Sequence, residues 1–417
     1  MLPKVSKRSR TNSQNTTSSE TFLYPTQEEV LHQSKRCQIL ELGTSSGKTY
    51  IGLHVYHKYS TQPLLIVAPR AKVDEKGWEK SIRYFHEYYN TKFDWEITTP
   101  DLLGKNLDKY KNYYVIFDEC HYIKNPTSKR GKNAIKMMRQ SDGYLLLSAT
   151  PMSNGWEDSI NYFIAFGYAK NKTQFERDFA IKEQIQFGHG RPFMKIVGWR
   201  SEHKLKEWWN TIAIQKPTEY FVDLPEKEEV FVDFKVTPFY KKFDKDRLIQ
   251  WSDDYVELLD NLPKLNMARR KHGNTKAKLQ HLEMIIDTKE NVLIFYNFDD
   301  ERNEILNIAN KLKKKVFEVS GHRKEIPDES VWEEVENSIT IVQYRAGGAG
   351  VELQYNSIMI IYSPTYSYQD HVQALGRAHR HGGKRLIVYK YRVLDTIEQA
   401  VYDVLDTKQD FKDELYE

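Results

Sequence analysis

Short apolar runs alternate with longer, partly amphipathic stretches in the first part of the chain. Runs of this length, bounded by polar or turn-forming residues, are typical of buried strands. The predicted strands are residues 38–42, 64–68, 95–98, 113–117 and 144–147. Because helix-length segments separate them, the pattern predicts an α/β fold with a parallel sheet.

The same pattern occurs a second time after residue 288. The second set of predicted strands is residues 292–296, 316–319, 339–342, 358–361 and 386–391. A chain of 417 residues also favours two lobes, because single cores stop growing at roughly 250 to 300 residues. The sequence therefore predicts two tandem parallel-sheet lobes.

Residues 156–288, between the two sets, are rich in Lys, Glu, Trp and Tyr and lack regular strand spacing. We expect helical insertions there, and a connection between the lobes near Pro217 and Pro225. The predicted organisation is a disordered basic and polar tail over 1–20, lobe one over 21–215 with a helical insertion from about 156, a linker and basic helical region over 216–288, and lobe two over 289–417.

Composition narrows the class of protein. Hydrophobic residues make up 40% of the chain and charged residues 29%, which excludes a chain disordered throughout. No apolar run approaches the ~20 residues needed to cross a bilayer, and the basic N-terminus leads into a polar tract rather than a secretion signal. Cys37 and Cys120 cannot form a disulfide framework. We therefore expect a cytoplasmic protein without a membrane partner.

A loop of small residues follows the first predicted strand and precedes an apolar helix start. It consists of Gly43, Thr44, Ser45, Ser46, Gly47, Lys48 and Thr49. The amides of such a loop can bind phosphates, Lys48 can reach the β and γ oxygens, and the Thr49 hydroxyl can bind Mg²⁺. Leu42 stands where the strict P-loop pattern has glycine, so the loop alone does not establish a nucleotide site.

Two adjacent carboxylates, Asp118 and Glu119, end a predicted strand further along the chain. Adjacent residues at a strand end point in different directions. Asp118 can then hold Mg²⁺ while Glu119 acts as a base toward the attacking water. The alternative is an ordinary acidic turn, which becomes less attractive once the phosphate-binding loop is present.

A third group lies in the second lobe. Gln373, Arg377 and Arg380 are spaced to share one helix face, and Gly376 would let that face approach a partner closely. Two guanidinium groups can neutralise the charge that develops on a transferring phosphoryl group. The alternative is a solvated basic face.

In their order along the chain, these elements resemble the motifs of superfamily-two helicases. The matching elements are Gln27, the loop at Lys48, residues 68–70, the DExH box at 118–121 and residues 148–151. Residues 78–79, 123–125, 345–353 and 373–382 resemble the SWI/SNF type of DNA translocase. This resemblance implies two RecA-like lobes that use ATP and Mg²⁺.

The resemblance also implies roles for individual residues. Gln27 corresponds to a glutamine that reads adenine, and Glu352, where the SWI/SNF type has asparagine, could contact the nucleotide ribose. Ser45 departs from the family, which often has glycine there. The implied nucleic-acid contacts are Pro69, Arg70, Thr98, Thr99, Gly347 and Gly348.

A run of cations over residues 264–280 includes Arg269, Arg270 and Lys271 and contains no acid. Such a run can line a phosphate track, although a solvated helix is the alternative. Net charge is only +4, so any affinity for nucleic acid must come from local clusters of this kind.

The sequence thus predicts a nucleic-acid-dependent ATPase motor that moves along single- or double-stranded DNA without sequence specificity. We expect it to act in DNA replication, recombination or repair, with other replication or recombination proteins as potential partners. Strand separation by a small replicative helicase of a phage or other mobile element is an alternative. A nucleotide-gated nucleic-acid-binding module without catalysis is another.

Overall fold

The structure is a computed structural model that describes residues 22–185, 192–252, 254–273, 275–321, 323–344, 351–407 and 410. The expected tail over 1–20 lies outside the described residues, as do Gly347 and Gly348. No helix within the described ranges is long and apolar enough to cross a membrane.

The first lobe alternates helices and strands. Its elements are α1 (Pro25–Gln33), β1 (Cys37–Leu42), α2 (Lys48–Tyr59), β2 (Leu64–Val67), α3 (Arg70–Asp74), α4 (Gly77–Tyr89), β3 (Trp95–Thr98), α5 (Pro100–Leu103), β4 (Tyr114–Asp118), α6 (Lys129–Gln140) and β5 (Gly143–Ser148). All five predicted strands are confirmed. Strands β2, β4 and β5 are buried along their whole length, which explains why each is a continuous apolar run.

The region after β5 is only partly helical. It contains α7 (Trp156–Ala165), α8 (Lys172–Phe179), β6 (Ala180–Ile185), β7 (Phe193–Trp199), α9 (Glu202–Ile212) and β8 (Ala213–Lys216). Strands β6 and β7 form an antiparallel pair where we expected helix. Strand β8 returns to pair with β1, so the first sheet is parallel throughout, with the order β3-β2-β4-β5-β1-β8.

The second lobe begins earlier than we predicted. Its elements are β9 (Lys227–Phe234), α10 (Pro238–Asp246), β10 (Leu248–Ser252), β11 (Tyr255–Leu258), α11 (Leu262–Lys271), α12 (Thr275–Ile286), β12 (Val292–Tyr296), α13 (Asp299–Lys311), β13 (Lys315–Val319), β14 (Lys324–Glu325), β15 (Ser338–Gln343), β16 (Ile358–Ile361), α14 (Tyr368–Ala378), β17 (Leu386–Val393) and α15 (Ile397–Asp406). The five strands predicted for this lobe are confirmed.

Assignment of residues 216–288 to a linker and helical region was wrong for β9. This strand pairs in parallel with β17 at the edge of the second sheet, whose order is β14-β13-β15-β12-β16-β17-β9. The register sets Val230 beside Tyr389 and Phe234 beside Val393. Because β9 is an edge strand with charged residues along one face, it lacks the continuous apolar run that revealed its neighbours.

A buried ion pair holds part of the basic region inside this lobe. Lys278 on α12 donates hydrogen bonds to the carboxylate of Glu398 on α15 and to the carbonyl oxygen of Tyr362, at 3.2 Å. The side chains of Lys278 and Glu398 are 5% and 2% exposed. A second oxygen of Glu398 accepts from the amide of Val393 at 3.0 Å. Each buried charge is therefore stabilised by the other in place of water.

Replacement of Lys278 with methionine is expected to lower the free energy of unfolding by roughly 3 to 5 kcal/mol, because the Glu398 carboxylate is left buried without its cation. Urea denaturation measures this loss. The double replacement Lys278→Met with Glu398→Leu should recover most of it. A double variant as unstable as Lys278→Met alone would contradict the role of the unpaired charge.

Candidate functional site

The carboxyl ends of β1, β4 and β5 meet at one edge of the first sheet, because the strands are neighbours and parallel. Strand β1 leads through residues 43–47 into α2, which begins at Lys48. Strand β4 ends at Asp118. The fold therefore places the predicted phosphate-binding loop beside the predicted acidic pair.

The phosphate-binding loop is held by its own side chains and by α1. The hydroxyl of Ser46 donates to the carbonyl oxygen of Gly43 at 2.8 Å, and the ammonium of Lys48 donates to the carbonyl oxygens of Leu42 and Gly43, both at 3.0 Å. The amide of Gln27 donates to the carbonyl oxygen of Ser46 at 2.9 Å. Gln27 thus contacts the loop itself, while its reading of adenine stays a prediction.

Two residues of the loop adopt left-handed backbone. Gly47 has φ +74°, and a β-carbon there would lie 2.3 Å from the side-chain nitrogen of Gln27. Ser45 has φ 59°, a conformation that glycine adopts without steric cost. Ser45 therefore adopts a left-handed conformation that is less favourable for serine than for glycine, and the loop still forms.

The acidic pair is fixed by neighbours in the first lobe. The indole nitrogen of Trp78 on α4 donates to one oxygen of Asp118 at 2.9 Å, and the amide of Glu119 donates to the other at 3.0 Å. Burial raises the pKa of Asp118, although nearby Lys72 opposes the shift. Trp78 was part of the motif resemblance, but its contact with Asp118 was not predicted from the sequence.

Glu119 lies at the centre of the local electrostatics. Its backbone has φ 53°, and its Oε2 lies 3.3 Å from Nδ1 of His121. Burial acts to raise the pKa of Glu119, but the hydrogen bond and charge of His121, together with Lys48 and Lys72, outweigh it and lower the pKa to about 2. The carboxylate is therefore ionised at neutral pH and can accept a proton or hydrogen bond from water.

The pKa of Lys48 depends on both residues of the acidic pair. Burial lowers the pKa of Lys48, whereas the carboxylates of Glu119 and Asp118 act in the opposite direction. Arg380 of the second lobe is close enough to lower it further. Groups from both lobes thus share one electrostatic environment.

The two arginines reach this environment from the end of α14. The helix ends at Ala378, so Arg380 is not on the helix face as we predicted. Its Nε donates to the carbonyl oxygen of Gly376 at 3.0 Å, and its Nη1 donates to Glu352 at 2.6 Å. Burial and Arg380 lower the pKa of Arg377, while Glu119 acts in the opposite direction. Glu352 is therefore a partner of Arg380, and its contact with ribose stays a prediction.

A further contact between the lobes involves the DExH histidine. Nε2 of His121 lies 2.5 Å from the side-chain nitrogen of Gln369, in the first turn of α14. We predicted Gln373, one turn further along the same helix, as the functional glutamine. The spacing of four residues was the available signal for Gln369, since both can then lie on one helix face.

The predicted nucleic-acid contacts of lobe one lie where β2 and β3 end. Pro69 precedes α3, and the exposed guanidinium of Arg70 bonds Asp74 at 3.1 Å. Thr98 and Thr99 are buried, and the hydroxyl of Thr99 accepts from the amide of Leu102 at 3.3 Å. The four residues share the sheet edge that carries the acidic pair, while their contact with nucleic acid stays a prediction.

One cation of the basic run predicted to line a phosphate track, Arg269, is buried within lobe two. Arg269 is 4% exposed, bonds Asp244 and donates to the Asn266 side chain at 2.8 Å, so it cannot reach a phosphate. The guanidinium of Arg270 lies over the rings of Phe298 and Tyr366, at 4.9 and 4.2 Å. Buried guanidinium groups need such partners, and here the lobe itself supplies them.

Lys271 is the outermost of the three cations. Its side chain is 36% exposed, and its ammonium pairs with Asp300 of α13 at 2.9 Å. Contact of Lys271 with nucleic acid stays a prediction. The run as a whole binds α11 to the rest of lobe two.

Comparisons with known proteins agree with the two halves of this site. A model of the res subunit of type III restriction enzymes matches residues 13–153, and a model of the helicase conserved C-terminal domain matches residues 277–382. The chain is 23% identical over 408 residues to the Caenorhabditis elegans homolog of a SWI/SNF-related, matrix-associated, actin-dependent regulator of chromatin, subfamily A-like protein 1, covering 87% of this chain and 57% of that protein. These matches support the resemblance of the chain to SWI/SNF-like members of helicase superfamily two.

Other relatives extend the comparison. An uncharacterized ATP-dependent helicase of Mycoplasma pneumoniae is 22% identical over 332 residues, covering 73% of this chain and 31% of that protein. A Sulfolobus solfataricus SWI2/SNF2 ATPase core in complex with dsDNA is 21% identical, with a TM-score of 0.42, covering 93% of this chain and 91% of that one. The chain spans about a third of the length of the Mycoplasma helicase, so it corresponds to part of that protein.

The chemistry of the site fits the magnesium nucleotide that superfamily-two proteins use. The Thr49 hydroxyl and the Asp118 carboxylate are oxygen donors of the kind that Mg²⁺ prefers. Burial disfavours the ionised form of Asp118, and a cation beside it would restore that form. Lys48 donates hydrogen bonds to the carbonyl oxygens of Leu42 and Gly43, and within the described part of the chain it forms no salt bridge that a turn toward a phosphate would break.

Glycine at position 45 is expected to be neutral or to stabilise the protein by up to about 1 kcal/mol, because it removes left-handed strain at φ 59°. The comparison change Ser141→Gly, at φ −79°, relieves no strain and removes the hydrogen bond from the Ser141 hydroxyl to the Met138 carbonyl oxygen at 2.9 Å, so it should destabilise the protein by about 0.5 to 1 kcal/mol. Denaturant unfolding of both variants measures the difference. A larger loss for Ser45→Gly than for Ser141→Gly would contradict the strain.

His121→Ala should give ATP hydrolysis an acid limb that the wild type lacks. With a pKa of about 2, Glu119 of the wild type keeps its ionised form until pH falls through that value. Without the imidazole, burial is opposed by Lys48 and Lys72 alone among these groups, so the pKa of Glu119 should rise and hydrolysis should begin to fall at a higher pH than in the wild type. A pH profile between 5 and 8 measures this. Parallel profiles for the two proteins would contradict the role of His121.

Proposed function

We propose that the chain is a DNA-dependent ATPase that couples hydrolysis between its two lobes to movement along DNA. One observation carries the proposal, namely that Lys48 of lobe one and Arg377 of lobe two both lie within electrostatic reach of Glu119, while Arg380 of lobe two lies within reach of Lys48. Such an arrangement makes hydrolysis depend on closure of the cleft. An isolated lobe would lack either the nucleotide loop or the arginines.

In the proposed reaction, Glu119 orients a water molecule and accepts its proton as the water oxygen attacks the γ-phosphorus. The bond from phosphorus to the β–γ bridging oxygen breaks, and ADP and phosphate leave. Mg²⁺ held by Thr49 and Asp118 would offset charge on the phosphate oxygens. Lys48, Arg377 and Arg380 stabilise the charge that develops on the transferring group.

Arg380 is held in position by Glu352. Glu352 holds its Nη1 at 2.6 Å, which fixes the guanidinium before nucleotide arrives. Gln27 contacts the loop from α1, and its proposed role is to read the adenine. Gln369 connects lobe two to His121, and through it to Glu119, while Gln373 keeps its proposed role on the same helix.

DNA is the proposed track. The C. elegans relative is named as a regulator of chromatin, and the resemblance of residues 345–353 and 373–382 to SWI/SNF translocases favours duplex DNA. Pro69, Arg70, Thr98 and Thr99 are the proposed backbone contacts, which carry no base code. Roles in DNA replication, recombination or repair are consistent with such a motor.

Glu119→Gln and Arg377→Ala are each expected to reduce DNA-stimulated ATP hydrolysis by about a thousandfold, because the first removes the base and the second a phosphoryl-stabilising cation. Steady-state phosphate release with and without DNA measures this. Arg385→Ala is the matched control, since Arg385 is exposed and pairs with Glu228 at 3.2 Å. Wild-type rates in either site variant would overturn the mechanism.

A second experiment concerns the form of movement. We expect the chain to displace the third strand of a triplex while leaving a plain duplex paired, because it resembles translocases that do not unwind. Strand release from labelled triplex and duplex substrates, each with ATP, compares the two. Efficient separation of the duplex would instead support a strand-separating helicase.

A further inference from the structure

Residues 216–226 run from the last residue of β8 in the first sheet to the start of β9 in the second, and we call them the crossing segment. The segment does more than connect the lobes. It bonds to the phosphate-binding loop near its start and to the arginine-bearing end of α14 near its finish.

At its start, the crossing segment lies directly on the loop. The amide of Gly43 donates to the carbonyl oxygen of Lys216 at 2.9 Å, and the hydroxyls of Thr44 and Thr218 are 3.4 Å apart. A β-carbon on Gly43 would lie 2.3 Å from the amide nitrogen of Thr218. The approach is so close that the loop cannot move toward the segment here without displacing Thr218.

At its end, the crossing segment bonds to the residues that flank Arg380. Nε2 of His379 lies 2.8 Å from the carbonyl oxygen of Pro225 and Nδ1 of His381 lies 3.1 Å from that of Asp223, so each ring nitrogen can donate. His379 lies between Arg377 and Arg380 in the chain. The segment therefore bonds to the piece of backbone that carries both arginines.

The middle of the segment is held against α1. The hydroxyl of Tyr220 bonds to the carboxylate of Glu29, and the ammonium of Lys216 lies over the Tyr220 ring at 4.1 Å. Glu29 is two residues from Gln27, which bonds to the loop. The middle of the segment is therefore joined to α1, the same helix that contacts the phosphate-binding loop through Gln27.

Nucleotide would act on the first of these contacts. Lys48 bonds to the carbonyl oxygens of Leu42 and Gly43, and it must leave them to reach a phosphate. Gly43 is the residue whose amide bonds to the crossing segment. When the ammonium of Lys48 leaves these carbonyl oxygens, the hydrogen bonding of the Leu42–Gly43 peptide changes, and this is the peptide whose amide bonds to the crossing segment.

We propose that the crossing segment transmits occupancy of the phosphate-binding loop to Arg377 and Arg380, with Thr218 and His379 as positioning residues for hydrolysis. A direct contact supports the same coupling, since a β-carbon on Gly376 of α14 would lie 3.0 Å from the methyl of Thr44. Thr44 thus adjoins both the segment and the helix. The inference rests on the proposed ATPase function and adds a route by which the two halves of the site are coordinated.

The test compares Thr218→Val, His379→Ala and the double variant with the wild type. ATP affinity is measured with a fluorescent nucleotide, and kcat is measured by phosphate release with and without DNA. Each single change should lower kcat at least about fivefold while the Kd for ATP stays within about twofold. If both residues act through one segment, the double variant should be no slower than the slower single variant.

Two further variants separate positioning from general damage. Thr218→Ser keeps the hydroxyl and should restore kcat to near the wild-type value. Thr211→Val is the matched control, because Thr211 donates to the carbonyl oxygen of Glu207 on α9 and lies outside the crossing segment. Unchanged kcat in Thr218→Val and His379→Ala, or losses that multiply in the double variant, would overturn the proposal. If wild-type hydrolysis ignores DNA, the proposed function fails, while the ratios of kcat among the variants still test the segment.

Discussion

The candidate site depends on the interactions that keep the buried carboxylate of Glu119 ionised. Burial opposes its charge, and His121, Lys48 and Lys72 overcome that opposition. Arg377 of the second lobe lies within the same field. A carboxylate able to direct water toward a phosphate is thus maintained only where side chains from several elements converge.

Convergence follows from how the two sheets are built. Parallel strands bring the phosphate-binding loop and the acidic pair to one edge of the first sheet. The second sheet supplies α14, whose first turn reaches His121 through Gln369 and whose end carries the arginines. The crossing segment lies between these parts and bonds to both. The connection between the lobes therefore contacts both halves of the candidate site.

Much of the fold could be predicted because buried parallel strands are continuous apolar runs. All ten predicted strands are present. Strands β8 and β9 escaped prediction because edge strands carry polar residues on one side, and β9 moved the start of lobe two into the predicted linker. The hairpin β6–β7 escaped for a similar reason, since its residues are mostly exposed.

The candidate site was predictable where its residues are close in sequence. The loop and the acidic pair fall within short motifs, and the structure brings them together. The prediction that Arg269 contacts nucleic acid relied on charge alone. The sequence of cations does not show that Arg269 bonds to Asp244 and Asn266 in the folded lobe. Contacts such as Trp78 with Asp118 and Thr218 with Thr44 join residues far apart in the chain, so only the folded structure shows them.

The central claim is that one nucleotide draws the two lobes together. Energy transfer between dyes on Lys92→Cys and Asn310→Cys, both at exposed positions and in a chain carrying Cys37→Ser, measures the separation of the lobes directly. Addition of a non-hydrolysable ATP analogue should shorten that distance, and the double change Arg377→Ala with Arg380→Ala should abolish the response. An unchanged distance when nucleotide is bound, or an equal response without the arginines, would contradict a site shared between the lobes.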